Sequence, residues 1–273
     1  MTDRDDDVSQ RDDAEAQPEG DAVGTGTAGA ATADDADGGA PRRHLKVWQE
    51  SLLLVGLALV LAILIKTFLV QAFYIPSASM EPGLQEDDRI LVQKPSYWFG
   101  EPERGDVVVF EDPGGWLGVN EDTDVDGLRG VMSKIGLYPT GGHLVKRVVG
   151  VAGDTVHCCD DAGRIEVNGV ALDESEFLAE RPENVQCDGP MKPTCDWTAG
   201  PVPDGALFVM GDNRSASADS SERLCMDTET DCTRDPYVQV DEVVGKVWAV
   251  VWPRAHWSVL NDPSAFDDVP AGD

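Results

Sequence analysis

An apolar run of about twenty residues, SLLLVGLALVLAILIKTFLV at 51–70, limits what this chain can fold into more than any other feature of its sequence. The run is apolar all round and carries no polar stripe, which is typical of a helix surrounded by lipid. At about 1.5 Å of rise per residue, such a helix matches a hydrocarbon core ~30 Å thick. Its one charged residue, Lys66, lies near the far end, where a long side chain can reach the headgroups. The run therefore predicts one membrane helix over about 47–70.

The residues beside this run predict its orientation. A basic cluster, RRHLK at 42–46, precedes it, and positive residues next to a membrane helix favour the cytoplasmic side. We therefore expect the N-terminus in the cytoplasm and the chain after about residue 71 outside it, anchored in the cell membrane. A cleavable signal peptide is the alternative, because Val70-Gln71-Ala72 loosely resembles a cleavage site. The length of the run favours a retained anchor.

The first 41 residues have a composition unlike the rest of the chain. Residues 1–41 contain many Asp, Gly, Ala and Thr residues, no aromatic residue and few branched aliphatic ones. Such a segment cannot bury enough apolar surface to offset the chain entropy that folding removes. The composition predicts a disordered, acidic, cytoplasmic tail.

The charge of the chain excludes one class of function. The formal net charge is -30, from 51 acidic residues against 21 Lys and Arg. Proteins that bind nucleic acid need clustered basic groups against the phosphates. We therefore expect no nucleic-acid partner.

All the cysteines follow the apolar run. They are Cys158, Cys159, Cys187, Cys195, Cys225 and Cys232. An even number on one side of a membrane span is typical of an oxidising compartment and predicts disulfides. Free buried thiols or a zinc site are the alternatives, but no C-x-x-C pair occurs and no histidine lies at ligand spacing. Cys225 and Cys232 form the expected local pair, and the pairing of the other four stays open.

The region beyond the membrane run has the pattern of a β protein. From residue 87 onward, short segments rich in Val and Ile alternate with Gly, Pro, Asp and Asn, and no long amphipathic helix is evident. This pattern predicts a mostly β domain over about 71–260. Two loop-like stretches, 112–142 and 171–204, interrupt the strands. We expect the region 155–205 to form a smaller inserted lobe.

Three polar clusters could carry chemistry. The first, IPSASMEPGL at 75–84, places two serines between two prolines, and alone it indicates only a turn-rich linker. The second, LVKRVVGVAGD at 144–154, places Lys146 within an apolar strand. Burial there would lower the pKa of Lys146 and let a neutral amine accept a proton, although a solvent-facing lysine also fits the pattern. The third, MGDNRSASADSS at 210–221, fits either a loop of Asx turns or a hydrogen-bonding platform for a buried amine.

Together and in this order, the clusters resemble a known family. PSxSMxPxL just beyond a membrane anchor, followed by GDVVVF, KRVVGxxGD and GDNRxxSxDS, is similar to the bacterial type I signal peptidases over about residues 45–253. The resemblance implies a signal-peptidase-like, mostly β serine endopeptidase that removes signal peptides from exported preproteins without a metal or organic cofactor. Its expected partners are signal peptides, the lipid bilayer and, as a further candidate, the secretion translocon.

The resemblance also implies a role for each matching residue. Ser79 corresponds to the nucleophile and Lys146 to the general base of a Ser–Lys dyad that forms an acyl-enzyme. Ser77 and the backbone N–H of Ser79 would form the oxyanion hole, and Ser217 would hydrogen-bond the lysine. The expected supporting carboxylates are Asp212 and Asp219. The expected apolar walls of the substrate pockets are Ile75, Leu84, Leu144 and Val145.

The chain departs from the family pattern at one position. Where the pattern often ends in DSR, this chain has Asp219-Ser220-Ser221. The arginine that would pair with Asp219 is therefore missing. Either the nearby Arg223 takes its place or the ion pair is absent, which concerns the support of the dyad and not the dyad itself.

Two other functional classes fit parts of the sequence. A non-catalytic, membrane-anchored β module would keep Ser79 and Lys146 beyond hydrogen-bond distance. The soluble self-cleaving repressors also use Ser–Lys chemistry on a similar β core, but they bind DNA, which the apolar run and the acidic charge oppose.

Two further patterns are weaker. DTDVDG at 122–127 resembles the start of a calcium loop, but Ser133 occupies the twelfth position, where a bidentate Glu is needed. Three aromatic residues late in the chain could contact the bilayer interface, although packing in the strand core fits Trp248 equally well. They are Trp248, Trp252 and Trp257.

Overall fold

The structure, a computed structural model, describes residues 46–117, 142–183, 185–188, 195–225 and 234–272. The predicted acidic tail, the calcium-like segment and Cys232 lie outside the described residues.

The apolar run forms α1 (Val47–Leu64), which continues as a π-helical turn over Ile65–Leu69. The chain then passes directly into β1 (Val70–Tyr74), so the helical segment ends one residue before the predicted boundary. β-branched and aromatic residues in VQAFY favour this strand. α1 has a mean hydropathy of 2.1 and buries none of its residues, and in the described part of the chain it is the one helix long and apolar enough to span a membrane.

The remaining chain is built from short strands and 3₁₀ turns. In chain order the strands are β2 (Arg89–Gln93), β3 (Val107–Glu111), β4 (His143–Gly150), β5 (Val156–Cys158), β6 (Ile165–Val167), β7 (Val170–Ala171), β8 (Trp197–Ala199), β9 (Ala206–Met210), β10 (Val238–Gln239), β11 (Val243–Trp252) and β12 (Ser258–Val259). The 3₁₀ turns are Ala78–Met80, Pro95–Tyr97, Arg214–Ala216, Ser220–Arg223, Val240–Glu242, Arg254–His256 and Ser264–Phe266.

The strands form two antiparallel sheets, so the fold is mostly β, as the sequence predicts. The larger sheet has eight strands in the order β1-β2-β11-β3-β4-β9-β10, with β12 beside β11. The smaller sheet has four strands in the order β7-β6-β5-β8 and lies within the range 155–205. This smaller sheet and the loops around it are called the inserted lobe below.

Apolar side chains fill both faces of the larger sheet and the interior of the inserted lobe. One face packs against the segment that follows β1, through Ile75, Met80 and Leu84. The core of the lobe includes Phe266 and Val269, which follow residue 260 in the chain. Burial of these large side chains stabilises the C-terminal segment against the lobe.

Disulfides are present in the region after the membrane helix. Cys158 is bonded to Cys159 and Cys187 to Cys195, and both pairs lie in or beside the inserted lobe. Cys225 is also disulfide-bonded, but its expected partner lies outside the described residues. No described cysteine is free.

Candidate active site

Two of the three polar clusters meet at one hydrogen bond. The 3₁₀ turn Ala78–Met80, placed at the end of β1 by the bracketing prolines, presents Ser79 to the middle of β4. There the Nζ of Lys146 lies 2.7 Å from Ser79 Oγ and donates to it. The contact joins residues 67 positions apart in the chain and brings a candidate nucleophile within reach of a candidate base.

Lys146 is buried, and its surroundings favour the neutral amine. Its side chain is 3% exposed, and this burial lowers the pKa of Lys146 to about 8, although the charges of Asp219 and Asp212 act in the opposite direction. Desolvation disfavours the ammonium form. About a tenth of Lys146 is therefore neutral and able to accept a proton at pH 7, far more than for a lysine with the usual pKa.

Ser77 lies next to the nucleophile on its solvent side. Its Oγ is 3.3 Å from Ser79 Oγ, and the residue is exposed. A hydroxyl there can donate to a negative charge that develops beside Ser79.

The third cluster, 210–221, packs beneath the dyad, but not with all the contacts expected from the sequence. Ser217 is fully buried, yet its Oγ has no hydrogen-bond partner, so the expected hydrogen bond to Lys146 is not made. The carboxylate of Asp219 accepts from Gly211 N at 3.0 Å and from Ser221 N and Oγ at 3.1 and 2.6 Å. Ser221 thus occupies the position of the missing arginine and supplies hydrogen bonds in place of an ion pair.

Arg223 does not take over that hydrogen-bonding role. It donates to the carbonyl of Trp116 at 3.1 Å, and its guanidinium lies 4.7 Å from the centre of the Trp116 ring. Of the two alternatives left open by the sequence, the described contacts therefore favour the absence of the ion pair, and Ser221 supplies hydrogen bonds to Asp219 instead.

Asp212 is held by a residue that the sequence did not identify as functional. Arg147 donates from Nε and Nη2 to the two carboxylate oxygens, both at 2.7 Å, and from Nη1 to the carbonyl of Gly105 at 2.7 Å. Both partners are buried. Bidentate pairs of this kind are strong and fix orientation. The sequence feature that could have identified this pair is Arg147 itself, because it directly follows Lys146 and points to the opposite face of β4.

Two more residues of the third cluster fix the backbone at Ser79. Asn213 donates from its backbone N to Ser79 O at 3.0 Å and from Nδ2 to Ala78 O at 3.1 Å. Gly211 leaves no room for a side chain, because a Cβ there would overlap Ser79 O and Ser217 Oγ. The GDN triplet was visible in the sequence, but its contact with the serine turn was not.

Three of the four expected pocket residues lie together. Ile75 and Leu84 are buried in one cluster with Met80, and Val145 packs against it. Leu144 instead packs against the core on the other face of the sheet, because consecutive strand residues point to opposite faces. The structure therefore does not bring Leu144 together with the other three.

The described residues contain one group of potential metal ligands. Its members are Cys158, Cys159 and Cys187, and all three sulfur atoms are engaged in disulfides. A thiolate is the form of cysteine that binds a metal, so this oxidised group does not suit one.

Comparisons with known proteins agree on a family. The family model "Signal peptidase, peptidase S26" matches residues 48–252. A probable signal peptidase I of Mycobacterium leprae is 37% identical over 237 residues, covering 80% of both chains. A signal peptidase I of Mycobacterium tuberculosis is 38% identical over 228 residues, covering 78% of this chain and 75% of its own.

A solved structure was also compared with the chain. The crystal structure of a signal peptidase I from Enterococcus faecalis has 22% identity and a TM-score of 0.31, and the match covers 54% of this chain and 97% of that one. The family assignment depends on the sequence matches, which span most of the chain. By these matches the chain belongs to the S26 signal peptidase family and is a serine peptidase.

Proposed function

We propose that this protein cleaves N-terminal signal peptides from exported preproteins, with Ser79 as nucleophile and Lys146 as general base. The main support is the 2.7 Å hydrogen bond from a buried Lys146 Nζ to Ser79 Oγ. Membership of the signal peptidase family supports the substrate class. The contact also opposes a non-catalytic module, in which the two side chains would have no reason to meet in a buried site.

The reaction follows from the positions of these groups. Ser79 Oγ attacks the carbonyl carbon of the scissile peptide while its proton passes to Lys146 Nζ. The backbone N–H of Ser79 and the hydroxyl of Ser77 stabilise the oxyanion. The intermediate collapses, the leaving amine takes the proton from Lys146, and an acyl-enzyme remains on Ser79. Lys146 then takes a proton from water, whose oxygen attacks the ester. When the second intermediate collapses, Lys146 returns the proton to Ser79 Oγ and the signal peptide is released with a free carboxylate.

The apolar residues beside the dyad favour small side chains in the substrate. Ile75, Leu84 and Val145 present branched side chains around the serine turn, so an alanine fits where a bulky residue would have to displace the core. We place the alanines before the cleavage point of an Ala-x-Ala-like sequence against these three residues.

The membrane arrangement follows from α1 and the sheet beside it. α1 anchors the protein in the membrane, and we propose that its N-terminal end faces the cytoplasm and the β domain lies outside. Trp248, Trp252 and Trp257 are exposed on or next to β11, in the sheet that the chain enters from α1. Amphipathic aromatic side chains of this kind favour the lipid interface, so we propose that they rest on the bilayer. The secretion translocon is a further proposed partner, since it delivers preproteins across the same membrane.

Cleavage of a purified preprotein tests the proposed function. The detergent-solubilised protein is incubated with a preprotein carrying Ala-x-Ala, and the mature product is identified by N-terminal sequencing. We expect one cut directly after the second alanine and no cut when that alanine is replaced by a bulky residue. EDTA should leave the rate unchanged, because no step of the mechanism uses a metal. Cleavage at unrelated sites, or complete loss with EDTA that zinc restores, would contradict the proposal.

The rate should depend on pH through Lys146. Its folded-state pKa is lowered to about 8, so the amine is protonated and inactive below that pH and becomes neutral above it. The pH profile of kcat/KM should therefore show an acid limb that rises through about 8, since this profile reports the free enzyme. If kcat/KM is already constant from about pH 6 upward, Lys146 does not control the acid limb and another group must.

Ser77→Ala should reduce kcat by about 10- to 1,000-fold, the loss typical of one oxyanion donor. KM should change little, because the hydroxyl binds charge that develops in the transition state. Ser96→Ala, which removes an exposed serine from another 3₁₀ turn, is the matched control and should keep the wild-type rate. An unchanged kcat in Ser77→Ala would remove Ser77 from the mechanism.

A further inference from the structure

The loop Gly211–Arg214, called the 211–214 loop below, is pressed against the nucleophile on its inner side. A Cβ at Gly211 would overlap Ser79 O, and Asn213 donates one hydrogen bond to the carbonyl of Ala78 and one to that of Ser79. Any movement of this loop would therefore move the turn that carries Ser79.

The outer side of the same loop is held by one segment of the inserted lobe, 174–179. Ala179 N donates to Asp212 O at 3.0 Å. Glu174 accepts a hydrogen bond from Arg214 Nη2, and Arg214 Nε in turn donates to Gly211 O at 3.0 Å. Glu174 and Arg214 are both buried, so this ion pair is shielded from water.

A third contact from this segment reaches the strand of the proposed base. The ring of Phe177 lies 3.9 Å from the guanidinium carbon of Arg147, which directly follows Lys146 and binds both oxygens of Asp212. An aromatic face stabilises a cation at this distance and excludes water from it. Phe177 also lines a cavity of about 260 Å³ together with Arg147 and Asp212, so a smaller side chain there would admit water to the ion pair.

We propose that the segment 174–179 of the inserted lobe positions the Ser–Lys dyad, with Phe177 as the positioning residue that fixes the Arg147–Asp212 pair. The segment touches neither Ser79 nor Lys146 in any described contact, and it acts through the 211–214 loop and β4. This role rests on the proposed function, because it concerns the geometry of the same dyad.

The charges around Lys146 determine what loss of Phe177 should do. Asp212 and Asp219 are the carboxylates that raise the pKa of Lys146, and Arg147 and Arg214 are the cations bound to or close to them. When Arg147 is less firmly held, the charge of Asp212 is less completely balanced, and Lys146 keeps its proton to a higher pH. The dyad should then be both misplaced and more often protonated.

Phe177→Leu in the full-length protein in detergent tests the role. We expect kcat to fall about 10-fold or more with KM within about 3-fold of wild type, because the dyad and not the substrate pocket is disturbed. The acid limb of kcat/KM should move up by about one pH unit. Phe177→Tyr keeps the ring face, with space in the cavity for its hydroxyl, and should restore both values.

Phe208→Leu is the matched control. Phe208 lies in the same core cluster and is also buried, and its described ring contacts are with Trp197 and Tyr237, not with Phe177 or Arg147. Phe266 does not serve as a control, because its ring stacks on that of Phe177. Both substitutions should lower Tm, but only Phe177→Leu should move the acid limb. An equal shift in Phe208→Leu, or no shift in Phe177→Leu, would overturn the proposal. If Phe177→Leu does not fold, Phe177→Met conserves the volume and carries the same expectation.

The titration of Lys146, read by NMR of isotope-labelled lysine in the same variants, separates this proposal from the proposed function. If the wild type cuts no preprotein, the proposed function fails, while an upward shift of the Lys146 titration in Phe177→Leu alone still supports the coupling. If the wild type cuts normally and the titration is the same in every variant, the positioning role is wrong and the proposed function stands.

Discussion

Lys146→Met is expected to lower kcat/KM for signal-peptide cleavage by at least about 10,000-fold while the protein stays folded. The thioether cannot accept the proton of Ser79, and no other described base lies within hydrogen-bond distance of its Oγ. Methionine matches the length of the lysine stem and suits a site that is 3% exposed. Tm should therefore stay at the wild-type value or rise, because an ammonium group is costly to bury. The measurements are preprotein cleavage and thermal unfolding in the same detergent.

Lys246→Met is the matched control for this substitution. Lys246 is a lysine on β11 that pairs with Asp106 and Asp262, both at 2.6 Å, and it is not part of the dyad. Its removal leaves the buried Asp106 without that partner, so Tm should fall while kcat/KM stays within about 3-fold of wild type. A folded Lys146→Met variant with kcat/KM near the wild-type value would eliminate Lys146 as the base.

Gly211→Ala is expected to lower kcat by about 100- to 1,000-fold. A methyl group at this position overlaps Ser79 O and Ser217 Oγ. Neither atom can move away easily, because Ser79 O accepts a hydrogen bond from Asn213 N and Ser217 is fully buried. The overlap must push the serine turn away from Lys146, and a displacement of about 1 Å in a catalytic geometry is costly. Cleavage kinetics with a folding check by circular dichroism measure the effect.

Gly83→Ala is the control for the effect of a methyl group near the site. Its Cβ would lie 3.8 Å from Met80 O and 3.9 Å from Asp212 Oδ2, which are ordinary van der Waals contacts. We expect kcat within about 3-fold of wild type. Equal losses in Gly83→Ala and Gly211→Ala would show that the site tolerates no added volume at all, and the specific role of Gly211 would be withdrawn.

The sequence was sufficient for the family and for the class of fold, because ordered motifs and strand-like segments are local patterns. The apolar run predicted the membrane helix, and α1 with its π-helical turn ends at Leu69, since hydropathy and length act along the chain. Two residues beyond the expected domain limit at about 260 also pack against the lobe. Phe266 and Val269 are buried by contacts with the distant lobe, and no local pattern records such contacts.

Within the site, the sequence identified the groups but not all of their contacts. Alternation along β4 placed Leu144 and Val145 on opposite faces, yet both were expected beside the substrate. The missing arginine at 221 left two alternatives, and the structure favours the one without an ion pair, in which Ser221 itself binds Asp219. Phe177 could not be found from the sequence, because its contact with Arg147 depends on how the lobe folds back onto the larger sheet.

Cleavage by Ser79→Ala tests the central claim most directly, since the substitution removes a single oxygen atom from a side chain that is 6% exposed. The variant and the wild type are compared in the same micelles, with equal Tm, on a preprotein whose product is identified by mass. The account predicts no release of the signal peptide above the rate without enzyme. Release by folded Ser79→Ala within about 10-fold of the wild-type rate would contradict it, because a true nucleophile costs far more to remove.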